Sequence, residues 1–191
     1  MSEKMTEIRW HGRGGQGAKT AATLIAQLAI QEGKFSQGFP EYGPERMGAP
    51  IRGYTRISDG QIRVHSPITR PDISVVLDPT LLETVNVCEG LTENGIVIVN
   101  TTDSPKELKK RLGLKDGRVF TIDATRISIE EIGKPIPNTP MMGALIKATG
   151  ILKIETVISG IEKKFGKKFG EKVVQGNINA IKRGYEEVKS E

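Results

Sequence analysis

Three short runs of apolar, mostly β-branched residues constrain the fold of this chain most strongly. They lie at residues 73–78, 96–100 and 119–123. Strands that helices cover on both faces have this composition. The clearest helix between them begins at Ser104, where a capping box with Glu107 encloses proline at the first helical position. Alternating strands and helices predict an α/β fold, with a mostly parallel sheet sandwiched by helices.

The first strand and helix enclose a glycine cluster. Residues 7–11 have the alternating character of a short strand, and Gly12, Gly14 and Gly17 follow it. Residues 18–32 then place apolar side chains on one helical stripe, and Gly33 stops the helix. The chain therefore opens with strand, glycine turn and helix.

An insertion interrupts the alternation between residues 51 and 66. Asp59-Gly60 is a strong two-residue turn signal and predicts a β-hairpin. In that register Arg56 faces Arg63, because directly paired residues share a face of the sheet. The predicted face carries Arg52, Tyr54, Arg56, Arg63 and His65. Opposed arginines favour a counter-anion, either a phosphate, a cofactor tail or an acidic partner surface, and a solvated face with splayed arginines is the alternative.

The rest of the chain is predicted to be helical, at residues 140–149, 154–165 and 171–189. These helices form a C-terminal arm over about residues 138–191. Without an internal repeat or a low-complexity linker, residues 1–191 are predicted to be a single domain.

Composition excludes several functions. A single cysteine, Cys88, cannot hold an iron–sulfur cluster, which needs about four thiolates, and we expect it to be a buried, inert thiol. With only two histidines, no metal site is predicted. A net charge of +5 and 5% aromatic residues argue against nucleic-acid binding. No apolar run is long enough for a membrane span and no export signal is seen, which predicts a cytoplasmic protein.

The glycine cluster also matches the pattern G-x-G-x-x-G of dinucleotide sites. Such a loop can bring backbone N–H groups to an anion, and Arg13 adds a cation. The acid expected about 20 residues later is missing, because Glu32 falls at the end of the helix and residues 34–45 are too rich in glycine and proline for a clean strand. We therefore disfavour NAD or FAD. A structural turn and an anion or partner contact remain open, and the candidate contact residues are Arg13, Gly14, Gly15, Gln16 and Gly17.

A charged loop follows at residues 41–50. Glu41, Tyr42, Glu45 and Arg46 surround several turn-forming residues. They are candidates for a subunit interface or for the wall of a site. A loop that satisfies its own charges is an equally good interpretation.

Several spaced motifs together resemble one family. They are EIRWHGRGGQGA at 7–18, FPEYGPERMGAP at 39–50, Pro71-Asp72 before the strand at 73–78, NTPMMGAL at 138–145 and RGYEEV at 183–188. Across nearly the whole chain these segments resemble gamma subunits of 2-oxoacid:ferredoxin oxidoreductases, and the C-terminal motif is most similar to the pyruvate type. Met47 departs from the pattern, because a polar or basic residue is common there.

The resemblance implies a division of labour. The family oxidises a 2-oxoacid to an acyl-CoA (acetyl-CoA from pyruvate) and CO2, and it reduces ferredoxin. Thiamine diphosphate, Mg²⁺ and 4Fe–4S clusters are placed on other subunits, so the gamma chain is not catalytic alone. Alpha, beta and delta subunits are the implied partners, with CoA as co-substrate. Arg13, the glycine loop, or the face with Arg52, Arg56 and Arg63 would contact CoA or a neighbouring subunit.

Three alternatives remain open. In the first, the chain serves a branched-chain 2-oxoacid enzyme instead of a pyruvate enzyme. A free-standing Rossmann-type enzyme would bind a nucleotide at Gly12–Gly17 when purified alone. A pure scaffold would lose assembly, without altered CoA kinetics, when Glu45 or Arg46 is changed.

Overall fold

One sheet organises the molecule. In a computed structural model that describes residues 4–41 and 48–191, seven strands form this sheet in the order β2-β3-β1-β4-β5-β6-β7. The strands are β1 (Met5–Arg13), β2 (Phe35–Pro40), β3 (Pro50–Ser58), β4 (Ile73–Val76), β5 (Ile96–Asn100), β6 (Arg118–Ile122) and β7 (Lys189–Ser190). The helices are α1 (Ala18–Gln31), α2 (Pro105–Leu112), α3 (Ala124–Ile132), α4 (Asn138–Thr149), α5 (Ile154–Phe165) and α6 (Glu171–Glu187), with a short 3-10 helix at Pro79–Glu83.

The centre of the sheet is parallel and its margins are antiparallel. β1, β4, β5 and β6 run parallel to their neighbours, whereas β3 and β2 continue the sheet beyond β1 in antiparallel pairings and β7 closes the far edge. The predicted α/β class is confirmed. The capping box at Ser104 is also confirmed, with its side chain accepting from the Glu107 backbone N–H.

The hairpin predicted at Asp59-Gly60 is wrong. β3 does not turn back on itself but lies between β1 and β2, and residues 59–72 contain no strand. The physical reason is a better set of partners on both sides of β3. Thr55 accepts from the Trp10 indole N–H and donates to the Ala22 carbonyl, and Ile57 is buried in the core.

Residues 34–45, which the sequence analysis judged unlike a strand, contain the edge strand β2. A Cβ atom on Gly38 would lie 2.8 Å from the Ala22 carbonyl oxygen of α1, so glycine lets the helix lie directly on the strand. Pro40 is the last residue of this strand, where a missing N–H costs little. Close packing thus overrides the low strand propensity of both residues.

The two faces of the sheet are covered differently. One face carries the larger apolar core, which includes buried residues of α1, α3, α4, α5 and α6. The other face has a smaller apolar cluster, in which valines of β4, β5 and β6 pack with Val87 and with Leu108 of α2. The helices from residue 138 onward therefore pack on the sheet and do not project from it. The last one ends at Glu187, two residues before the predicted end at Lys189, which instead begins β7.

Glycines set the contact between α4 and α6. A Cβ on Gly143 would lie 2.1 Å from the Ile181 carbonyl oxygen, and one on Gly184 would lie 2.1 Å from that of Pro140. The two helices consequently meet backbone to backbone. The glycines of the motifs at 138–145 and 183–188 are explained by this packing.

Two further sequence expectations have a structural outcome. Cys88, which the sequence predicted to be buried, lies in a turn and is only half-buried, and burial raises the pKa of its thiol. None of the helices in the described ranges combines the length and apolar character needed to cross a membrane.

Candidate functional site

The glycine loop joins β1 to α1, as the sequence predicts, and its own side chains hold it closed. The Gln16 side chain accepts from the Arg13 backbone N–H at 2.8 Å and donates to the Asp78 carboxylate at 2.6 Å. The Gly14 N–H donates to the carbonyl of Ala49. Glutamine therefore ties the loop to the segment that follows β4.

Arg13 is neutralised within the chain. Its guanidinium donates to the Thr80 hydroxyl at 2.9 and 3.2 Å and to the Gly48 carbonyl at 3.1 Å, and it lies 3.3 Å from the Asp78 carboxylate. Burial alone would raise the pKa of Asp78. Hydrogen bonds from Thr80 and Gln16, together with the charge of Arg13, lower that pKa below its ordinary value.

This closed loop occupies the place where an open α/β sheet ordinarily binds a ligand. The chain leaves β1 and β4 in opposite directions at their carboxyl ends, and ligands bind at such switch points. Here the Gln16–Asp78 contact spans the gap. A Cβ on Gly17 would lie 2.4 Å from the Asn138 side chain, so α4 also crowds the start of α1.

The topology argues against a Rossmann-type nucleotide enzyme. In that fold a parallel strand follows the first helix and ends in the acid that holds the ribose. In this chain α1 leads to the edge strand β2, and the antiparallel β3 is the neighbour of β1. The structural interpretation of the glycine loop gains support accordingly.

The arginines of β3 lie on a second candidate surface, which we name the polar sheet face. It is formed by alternate residues of β1 and β3, which face each other across the strands. Its members are Glu7, Arg9, His11, Arg52, Tyr54 and Arg56. Four of these side chains, on Arg9, His11, Tyr54 and Arg56, are almost completely buried.

Arg56 has internal partners on every side. It lies 2.7 Å from the Glu7 carboxylate, donates to the Ser66 carbonyl at 2.7 Å and stacks over the Phe39 ring. The predicted pairing of Arg56 with Arg63 is wrong, because Glu7 stands opposite Arg56 and Arg63 is exposed outside the sheet. The repulsion that called for a counter-anion at Arg56 therefore does not arise.

Arg9 and His11 form the middle of this face. The Arg9 guanidinium donates to the carbonyls of Val87 and Glu89, and its Nε donates to His11 Nε2 at 3.1 Å. Burial, followed by the charges of Arg9 and Arg52, lowers the pKa of His11 to about 3. His11 is consequently a neutral hydrogen-bond acceptor at physiological pH.

Arg52 is the least firmly held arginine of the face. Its half-exposed guanidinium lies 3.8 Å from Glu41 and 4.0 Å from Glu89, both longer than direct hydrogen bonds. Glu41 accepts from the Tyr54 hydroxyl at 3.2 Å, and burial followed by the Glu41 charge raises the pKa of Tyr54. The structure thus brings together Arg52 and Glu41, which the sequence analysis assigned to different sites.

The other candidates fall elsewhere. Tyr42, Glu45 and Arg46 lie outside the described residues. Arg13 and Arg52 lie at the same end of the β1–β3 pair, since Arg13 faces Pro50 and His11 faces Arg52. Within residues 4–41 and 48–191, no three His, Cys, Asp or Glu side chains are arranged to hold a metal ion.

Sequence reasoning missed several residues that shape these sites. Arg9 and His11 could have been found from the alternation of residues 7–11, which places them with Glu7 on one face. Asp78 ends a predicted strand, a position where functional side chains commonly lie. Glu89 carried no sequence signal.

Comparison with known proteins shows which family this chain is similar to. Residues 7–187 match the model of the family described as pyruvate ferredoxin/flavodoxin oxidoreductase. The chain is 50% identical to the pyruvate synthase subunit PorC of Thermotoga maritima over 99% of this chain and 97% of that protein. It is 49% identical to the pyruvate/ketoisovalerate oxidoreductases common subunit gamma of Pyrococcus abyssi, over 97% and 98% of the two chains.

A crystal structure gives the same result. The fold superposes on the pyruvate oxidoreductase subunit PORC of Thermotoga maritima with a TM-score of 0.86 and 45% identity, covering 98% of each chain. Sequence motifs, sheet topology and these relatives agree along essentially the full length. The chain therefore belongs to the pyruvate ferredoxin/flavodoxin oxidoreductase family, as the gamma subunit of a pyruvate or related 2-oxoacid:ferredoxin oxidoreductase.

Proposed function

We propose that this chain assembles with alpha, beta and delta subunits into a cytoplasmic complex and carries no redox centre of its own. The complex converts a 2-oxoacid and CoA to acyl-CoA and CO2 and passes the electrons to ferredoxin. The observation that carries this division is the single cysteine, because a 4Fe–4S cluster takes about four thiolates. We assign thiamine diphosphate, Mg²⁺ and the clusters to the other subunits.

The Arg52 end of the polar sheet face is our proposed contact with a neighbouring subunit. Arg52 and Glu41 are both partly exposed, and their 3.8 Å separation leaves each able to accept a partner group. A phosphate of CoA that approached Arg52 would also meet the carboxylates of Glu41 and Glu89. A polar protein surface can pair with both signs of charge, so the arrangement favours a subunit contact over CoA.

The test is a CoA titration and an assembly assay on one set of complexes. The tagged chain is co-expressed with the other subunits as wild type, Arg52→Ala, Arg13→Ala and Arg111→Ala. Arg111 is the matched control, because it is a half-exposed arginine of α2 with acidic surface partners. We expect Arg52→Ala to reduce recovery of the other subunits while the KM for CoA of the remaining complex stays unchanged.

Three results would contradict these proposals. Unchanged assembly with an increased KM for CoA would assign Arg52 or Arg13 to the CoA site. Unchanged assembly and unchanged CoA kinetics in both variants would show that neither arginine contacts a neighbouring subunit or CoA. Failure of the wild-type chain to recover any other subunit would contradict the assembly function itself.

For the substrate we propose pyruvate, with a branched-chain 2-oxoacid as the alternative. The C-terminal motif at 183–188 is similar to pyruvate-type chains, although Gly184 within it serves helix packing. The Pyrococcus abyssi relative is named as common to pyruvate and ketoisovalerate enzymes, which supports a gamma chain that does not select the acid. Ferredoxin reduction by the purified complex, with pyruvate and with 2-ketoisovalerate, distinguishes the two from the ratio of kcat/KM values.

A further inference from the structure

A cleft between α1 and the end of α5 has a strongly cationic rim. It encloses about 320 Å³, and its apolar floor includes Leu24 and Leu28 of α1. Gly160 brings the helices this close, because a Cβ there would lie 2.1 Å from Leu28. The rim is formed by Lys163, Lys164, Lys167 and Lys168, and we name this cleft the lysine groove.

The charge of the lysine groove is not balanced by the chain itself. No aspartate or glutamate lines it, and within the described residues none of its four lysines forms a salt bridge. Lys164 donates to the Gln27 side chain, and its pKa is lowered by burial and by the charge of Lys168. Four ammonium groups that crowd one rim attract a surface with several carboxylates.

An apolar surface adjoins the lysine groove on the same segment of chain. Phe165 and Phe169 form an edge-to-face pair, and Phe169 and Val173 are 50% and 41% exposed. They border a second cavity of about 290 Å³ whose walls include Ile132 and Ile136. Exposed phenylalanine and valine beside an apolar cavity are typical of a surface that a lasting partner covers.

We propose that the α5–α6 turn, with the lysine groove and the adjoining Phe169 surface, is the docking site for an acidic segment of a neighbouring subunit. Carboxylates of that segment pair with the lysines, and an apolar side chain enters the cavity beside Phe169. A permanent subunit is favoured over a transient electron carrier, because weak redox contacts are small, whereas this surface combines charge with two cavities. The inference rests on the proposed assembly function and names a chemistry for one of its contacts.

The first experiment uses the unmodified complex. A zero-length carbodiimide cross-linker joins an amine to a carboxylate only when the two groups are in contact. Peptide mapping is expected to show links from Lys167 or Lys168 to an aspartate or glutamate of another subunit. Links confined to this chain, or none from these lysines, would overturn the proposal without any substitution that could disturb folding.

The second experiment reverses the charge. Lys167→Glu/Lys168→Glu is compared with Lys106→Glu/Lys110→Glu, two exposed lysines of α2 on the other side of the sheet. Dissociation of each variant from the complex is followed by mass photometry on dilution. We expect the groove variant to bind about tenfold more weakly at low salt, and the difference to shrink near 1 M salt, where charges are screened beyond about 3 Å.

Each other outcome overturns the proposal in a recognisable way. Equal retention of both variants would exclude the lysine groove as an assembly contact, while recovery of wild-type complex would leave the proposed function intact. An intact complex with an increased KM for ferredoxin would reassign the groove to a transient acidic carrier. Loss of assembly in the α2 variant as well would indicate a general charge effect.

Discussion

Arg52 and Arg56 lie four residues apart on the same face of β3, yet their environments are opposite. Across the strand pair, Arg56 faces the carboxylate of Glu7, whereas Arg52 faces His11, which is buried and neutral. Arg56 is therefore a buried cation that lies 2.7 Å from the Glu7 carboxylate. The guanidinium of Arg52 is partly exposed, and its nearest carboxylate, on Glu41, is 3.8 Å away. The cross-strand neighbour, and not the arginine, decides whether the side chain stabilises the fold or is available for a contact.

Removing the Arg56 side chain should reduce the free energy of unfolding more than any of the other substitutions would. In Arg56→Ala, Glu7 is left without its partner and the carbonyl of Ser66 loses a donor. Removing one member of a buried ion pair costs roughly 3–5 kcal/mol, and because Glu7 is partly exposed we expect the lower end of that range. Urea unfolding of the isolated chain measures this loss of unfolding free energy. A loss below about 1 kcal/mol would mean that the pair is not held in solution, and Glu7→Gln gives the complementary half of the comparison.

The Asp78 carboxylate extends the comparison to the glycine loop, where Arg13 is also satisfied internally. Asp78→Asn keeps the shape of the side chain but removes the charge and one acceptor for Gln16 or Thr80. An unsatisfied buried group of this kind costs about 1–3 kcal/mol. Thermal and urea unfolding should both show the loss. No change would indicate that the loop is held by the glycines alone.

Acid should weaken the middle of the polar sheet face. His11 has a pKa of about 3 when folded and an ordinary value near 6.5 when unfolded. Below pH 6.5, therefore, His11 is protonated in the unfolded chain but stays neutral in the folded chain. Stability then falls as pH falls, by about 1.4 kcal/mol per pH unit for one proton.

The His11→Gln variant isolates this contribution. Unfolding free energies are measured from pH 6.5 to 5, above the range in which carboxylates with lowered pKa values titrate. The unfolding free energy of the variant should depend less steeply on pH than that of the wild type, by up to the slope that corresponds to one proton, about 1.4 kcal/mol per pH unit. Identical slopes for wild type and variant would contradict a neutral, buried His11.

Changing Arg52 should affect stability least. Partly exposed ion pairs of this length contribute little, so Arg52→Ala is expected to change the unfolding free energy by less than about 0.5 kcal/mol. A loss as large as that of Arg56→Ala would abolish the distinction between the two ends. Paired with the assembly assay, the measurement separates a role in folding from a role in contact.

Most of the fold was accessible from the sequence because its signals are local. Runs of valine and isoleucine, the capping box at Ser104 and the glycine before α1 each specify an element without distant partners. The hairpin failed because Asp59-Gly60 is only a local turn signal, while β3 is positioned by Glu7, Trp10 and the α1 backbone. β2 was missed because Gly38 is explained by a helix that packs on it.

The candidate site was harder to predict from the sequence, because the partners that neutralise its charged residues lie far away along the chain. Arg13 and the glycines fit an anion site by pattern, but Asp78 and Thr80, more than sixty residues later, supply the counter-charge and acceptors. The same holds for Arg56 and Glu7. A pattern can identify which residues are charged, but only the tertiary structure shows which charges are already neutralised.

The burial of α4 has a consequence for how the molecule opens. Ten of its twelve residues are buried, beneath α6 and against the core that covers the sheet. Its amide hydrogens can therefore exchange with solvent only when the sheet and the C-terminal helices separate together. The chain should therefore behave as one kinetic unit, whose sheet and C-terminal helices open only in global unfolding.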